Sequence, residues 1–127
     1  MAKYKIVKTD DVPNYSQNGE MRMMRNALDS QQIALTYRRI PAGYKPAHGH
    51  THTKMDEIVF VFAGTLQIKL DDEVIEVGPK TAVKISPTTK RGYHNAGTED
   101  VEMIVASPQV ALVGDNDGVP DENWWPE

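Results

Sequence analysis

Cysteine is absent from this chain of 127 residues. That excludes a disulfide framework and any thiolate metal site. Long apolar runs are missing as well; none approaches the ~20 residues that a membrane-spanning helix requires. Positive charge is in deficit, with a net charge of -4, which argues against the basic surface that drives nucleic-acid binding. No G-x-S-x-G elbow and no Walker glycine loop occurs, so serine-hydrolase and nucleotidase chemistries have no support. The opening "MAKYKIVKTD" has no apolar stretch after its lysines, so no signal peptide and a cytoplasmic location are expected. The length suits a single domain with a real core.

What is present is a series of short apolar runs punctuated by eight prolines and nine glycines. "QQIALTYRRI" alternates, with Ile33, Leu35 and Tyr37 on one face and Thr36 and Arg38 on the other. "EIVFVFAG" is β-branched and aromatic on both faces, as in a strand covered on two sides. "TLQIKL" and "EVIEVG" read as a hairpin turning at Asp71 and Asp72, and "TAVKIS" and "VEMIVAS" as two further strands. Short strands at this spacing predict an all-β sandwich or barrel. "EMRMMRNAL" is balanced between helix and strand. After Pro108 the chain becomes acidic and turn-rich. "DNDGVPDE" lacks the spacing of a calcium loop and reads as a polar tail, with Trp124 and Trp125 docking on the domain or on a second subunit.

The rarest pattern is "AHGHTHTKMDE", which holds three of the four histidines at alternate positions: His48, His50 and His52. Residues two apart in an extended chain face the same way. Imidazoles at that spacing offer neutral nitrogen lone pairs to one metal ion. Glu57 on the next strand adds a carboxylate, and folding can bring in His94. Nitrogen and oxygen donors suit one divalent transition metal per chain, whether Mn, Fe, Ni, Co, Cu or Zn. The competing reading makes these histidines solvated loop residues.

The run from Gly43 through His50, His52 and Glu57 to Gly64 resembles the first motif of the cupins: a glycine, His-x-His, a glutamate and a further glycine. Gly78, Pro87, Gly92, His94 and Asn95 are similar to the second motif. Gly43 stands one residue further from His50 than is usual, Pro87 about two further from His94, and Asn95 follows His94 directly. The resemblance implies an antiparallel double-stranded β-helix, or jelly-roll barrel, spanning residues 1–127 as one domain. Its core would be about 31–107, with 108–127 packing on the barrel or a partner. It implies His50, His52, Glu57 and His94 as metal ligands. Counting from Gly64 and Glu57 leaves His48 outside the set, at the pocket mouth, behind a ligand or in a loop.

If Glu57 faces the lumen, Val59 and Val61 face it too and form an apolar wall, while Ile58, Phe60 and Phe62 point to the opposite layer. Either Thr36 and Arg38 or Tyr37 and Arg39 line the pocket, and an arginine there would grip a carboxylate or enolate. Taken singly, each arginine, Arg22, Arg25 and Arg91 included, is expected to be a solvated surface residue. Tyr93 either packs or reaches the pocket. By resemblance the function is a metal-dependent enzyme on a small organic molecule, with dioxygenase-type oxidation favoured over decarboxylation or isomerisation. The alternative is a non-catalytic ligand-binding or sensing module. A small-molecule ligand and a homodimer are expected; nucleic-acid and membrane partners are not.

Overall fold

The computed structural model of the chain describes residues 3–45, 48–52, 55–108 and 118–122, with backbone alone at 48, 50, 52 and 118–122. The described strands are β1 (Glu20–Met23), β2 (Ile33–Ile40), β3 (His48–His52), β4 (Glu57–Ala63), β5 (Leu66–Leu70), β6 (Glu73–Val77), β7 (Thr81–Ile85), β8 (Lys90–His94), β9 (Val101–Pro108) and β10 (Gly118–Glu122). They form two five-stranded sheets, ordered β1-β2-β9-β4-β7 and β10-β3-β8-β5-β6. Every strand pairing is antiparallel. This is the double-sheet jelly roll that the strand pattern and the motif resemblance imply.

The inner faces follow from parity. In β4, Glu57, Val59 and Val61 are buried while Ile58, Phe60 and Phe62 remain partly exposed. The apolar outer face of "EIVFVFAG" is therefore left partly exposed by the described residues, where the sequence predicts a strand buried on both sides. Val59, Val61, Ile40, Ile85, Val101 and Met103 from one sheet meet Leu66, Ile68, Val77 and Tyr93 from the other in one core. Each such aliphatic side chain contributes about 1.5–3 kcal/mol by leaving water.

Gly64 ends β4 where the chain crosses between the sheets. It has φ +77°, and a Cβ there would lie 2.5 Å from the carbonyl oxygen of Asp100. A left-handed backbone and close approach to a neighbouring main chain both require glycine. The β5–β6 hairpin turns at Asp71, whose φ is +52°. Its backbone N–H donates to the Lys90 carbonyl (2.9 Å) and its Oδ1 accepts from the Lys90 N–H (3.0 Å), fastening the turn to β8.

"EMRMMRNAL" divides: its first residues form β1 along β2, and its remainder is a tight turn closed by Leu28 N–H on the Met24 carbonyl. Within the acidic tail, residues Gly118–Glu122 are a strand rather than loose chain, paired with β3 along its whole length. Trp124 and Trp125 lie outside the described residues.

Candidate functional site

The inner face holds a polar cluster around Glu57, at the start of β4. Arg91 and Tyr93, both on β8 and two residues apart, reach the same carboxylate oxygen. Arg91 Nη1 donates to Glu57 Oε1 at 3.3 Å, and the Tyr93 hydroxyl donates to it at 3.1 Å. Arg91 is fully buried, Tyr93 is 6% exposed and Glu57 7%. Arg91 is further held by the loop before β8: Nη2 donates to the carbonyls of Ser86 (3.0 Å) and Thr89 (2.9 Å), and Nε to that of Thr89 (3.2 Å). The expectation that Arg91 is a solvated surface residue is thus corrected. A buried guanidinium needs an anion and carbonyl acceptors, and it has both.

Burial, and then the negative charge of Glu57, push the Tyr93 hydroxyl well above the ordinary tyrosine range. Tyr93 therefore stays protonated and serves as a donor at any physiological pH.

Of the two alternative pairs on β2, Thr36 and Arg38 share the inner face with Ile40, while Tyr37 and Arg39 point outward. The Arg38 guanidinium lies 5.8 Å from the Tyr93 ring centroid, a cation–π arrangement. Its buried Nε has no hydrogen-bond partner among the described residues, and the same is true of Arg25 Nε. A cavity of about 380 Å³ is walled by Arg38, Met21, Tyr44 and the 15–18 turn. A second, of about 370 Å³, is walled by Arg25, Met23, Ala34 and Thr36 and shares Tyr15 with the first. Tyr37 is not part of either. Its hydroxyl donates to Glu102 Oε1 at 2.6 Å on the outer face, and burial, with that bond, raises its pKa.

His48, His50 and His52 all lie in β3, so His48 opens a strand and is not in a loop. The register sets the His50 backbone opposite Arg91 on one side and Pro120 on the other, and His48 opposite Glu122. His94 is placed differently. It follows Tyr93 directly, so its side chain takes the other face of β8. There its Nδ1 lies 3.2 Å from Gln67 Oε1, and Gln67 sits between the buried Leu66 and Ile68 on the outward side of β5. Burial, and then the charge of Lys45, hold its pKa below the ordinary histidine value.

These placements test the fit of a metal. Among the described residues no three His, Asp or Glu side chains converge. Glu57, on β4, faces the inner side of β8, where Arg91 and Tyr93 reach it, while His94 takes the outer side of β8, and a permanent cation already sits on the Glu57 carboxylate. Of the set His50, His52, Glu57 and His94, the two whose side chains are described, Glu57 and His94, therefore do not meet at one metal ion.

Asn95 carries a role that motif reading leaves open. It is fully buried. Its Nδ2 donates to the carbonyls of Ile40 (2.9 Å) and Glu99 (2.8 Å), and its Oδ1 accepts from the Gly97 N–H (3.0 Å). Its backbone also exchanges bonds with Gly43 and Tyr44. It clasps the β2–β3 connection to the β8–β9 connection, beneath the site.

An antiparallel double-stranded β-helix with a polar cluster inside the barrel defines a class of small barrel proteins. A family model for the cupin domain matches residues 37–107, more than half of the chain, and the chain belongs to that family. Cupin domains often bind a metal. No curated protein matches the chain. Solved structures similar to it include a cupin protein from Bacteroides fragilis, at 19% identity and TM-score 0.73 over 100% of this chain and 99% of that one. Another is the polyketide cyclase RemF from Streptomyces resistomycificus, at 19% identity and TM-score 0.69, covering 82% and 78%. A putative sugar phosphate isomerase from Acidithiobacillus ferrooxidans gives 17% identity and TM-score 0.64, covering 72% of this chain and 59% of that one. The chain thus spans under two thirds of that isomerase. Identities this low speak for the fold alone. No helix among the described residues is long and apolar enough to cross a membrane.

Proposed function

We propose that this chain binds a small organic acid at the inner face of the barrel, with Arg38 as the group that grips the acid oxygens. One observation carries the reading: Arg38 stands on the inner face of β2, its guanidinium 5.8 Å from the Tyr93 ring centroid and its buried Nε without a partner among the described residues, and it lines a cavity of about 380 Å³. A guanidinium offers paired donors in the geometry a carboxylate or phosphate accepts. Met21 and Met23, on the same face of β1, supply an adaptable apolar wall for the body of the ligand. Glu57, hydrogen-bonded by the Tyr93 hydroxyl on the same inner face, is the candidate proton acceptor. Proton-transfer chemistry agrees with the isomerase and cyclase names among the similar folds. The dioxygenase reading draws no particular support from this arrangement.

Calorimetric titration with a panel of short-chain carboxylates, 2-oxo acids and sugar phosphates tests it, each paired with its neutral amide or unphosphorylated sugar. At least one acid is expected to bind and its neutral partner to bind at least tenfold more weakly. Arg38→Met is expected to abolish that preference. A panel in which no acid binds, or in which Arg38→Met leaves the preference intact, refutes the reading. Deuterium exchange into the bound acid in D₂O, followed by NMR, then separates catalysis from binding.

A further inference from the structure

We infer that Arg91 is the resident cation of this barrel: its guanidinium fills the place beside Glu57 that a metal ion and its fourth ligand would need, and the protein functions without a metal. This goes against the metal centre that family membership suggests, and it does not depend on the acid-binding reading.

Three observations support it. First, position 91 is where β8 faces Glu57. Its backbone lies opposite His50 in the β3–β8 ladder, and its side chain shares a face with Tyr93, which touches the same Glu57 oxygen. A metal ligand from β8 would have to stand here; His94 is one residue out of phase and engages Gln67 instead.

Second, Arg91 is not a visitor that could swing aside. It is fully buried, and its other donors are taken by Ser86 and Thr89 carbonyls at 2.9–3.2 Å. The loop that delivers those carbonyls contains Thr88 at φ +68°. A β-branched residue disfavours that region, so such a turn persists only where its surroundings fix it.

Third, guanidinium cannot lose its proton in a protein. Glu57 is therefore already neutralised, and a divalent ion brought to the same carboxylate would meet a fixed positive charge in a low-dielectric interior. Arginine thus does for Glu57 what the ion would do, compensating its charge and fixing its orientation.

The test uses the full chain, stripped with chelator, dialysed against Mn, Fe(II), Co, Ni or Zn, and assayed for bound metal by elemental analysis and for thermal shift. Wild type is expected to retain less than about one tenth of an equivalent after desalting and to show no chelator-sensitive change in melting temperature. Arg91→His places an imidazole opposite His50 on Glu57's face. It is expected to take up close to one equivalent, at least a hundredfold more tightly than wild type, with a melting temperature that the metal raises and chelator lowers. One tightly held equivalent in the wild-type chain overturns the inference. So does a folded Arg91→His protein that takes up no more metal than wild type. Should that variant not fold, the wild-type measurement decides alone. A metal-free wild type that binds no acid refutes only the acid-binding proposal, so the two fail separately.

Discussion

Replacing Asn95 with alanine removes two donors and one acceptor from a fully buried position. The lost bonds run to Ile40, Glu99 and Gly97 at 2.8–3.0 Å. At about 1 kcal/mol net for each of the three bonds, the loss comes to about 3 kcal/mol. For a domain of this size that corresponds to roughly 10 °C in melting temperature. Urea unfolding followed by circular dichroism measures it directly. Asn95→Asp sharpens the argument. The aspartate keeps the acceptor for Gly97 but aims a carboxylate at two carbonyl oxygens, so burial and repulsion raise its pKa in the folded state. A raised folded pKa means that the stability of this variant is fully present below the unfolded value near 4 and is lost as pH rises through the folded one. Asn95→Asp should therefore be weaker than Asn95→Ala at pH 7 and approach or pass it near pH 4. An alanine variant within about 0.5 kcal/mol of wild type, or an aspartate variant with no gain at low pH, would refute the clasp.

Two further outcomes follow from the same geometry. Glu20 accepts from Arg22 Nε (2.6 Å) and Arg39 Nε (2.9 Å), and these bonds, that from Arg39 first, hold its carboxyl below the usual range. A depressed folded pKa contributes stability above the unfolded value that is lost as pH falls through the folded one. Glu20→Gln should cost about 1 kcal/mol at pH 7, with the gap from wild type closing below about pH 4; parallel urea curves at both pH values check this. Gly64→Ala must place its Cβ against the Asp100 main chain at a positive φ and should destabilise by roughly 2–4 kcal/mol, read from the same unfolding assay; a loss under 1 kcal/mol would mean the crossing between sheets bends freely.

The sequence made the apolar strands legible because β4, β5, β6, β7 and β9 announce themselves by β-branched alternation, and parity alone puts Glu57 with Val59 and Val61 on one face. Strands β3 and β8 were harder: "HGHTH" and "KRGYH" carry no apolar period, and their extended form comes from neighbours far along the chain. The site suffered from the same gap. A motif counted along the sequence picks the only downstream histidine, but motif counting ignores which face a residue takes. Arg91 and Tyr93 share a parity that His94 lacks, and that signal becomes usable only once β8 is known to be a strand. Arg91 was hidden for another reason. An arginine in a loop-rich stretch is ordinarily solvated, and only three-dimensional pairing with Glu57 and two loop carbonyls makes burial affordable. On β2 the alternation separates two faces without saying which is inner; Thr36, Arg38 and Ile40 take the inner one, and the outer surface of that sheet is itself partly apolar.

Strand β3 has consequences for the order in which the protein assembles. Its ladder partners are β8, some forty residues later, and β10, some seventy later; it has no partner close by in the chain. Loop closure over such distances is slow, so the histidine-bearing strand should be among the last to acquire amide protection during refolding, well after the local β5–β6 hairpin. During synthesis it waits with one edge open until residues 118–122 have emerged. A chain cut short after β9 would keep most of its core but leave that edge bare, a template for pairing with another molecule.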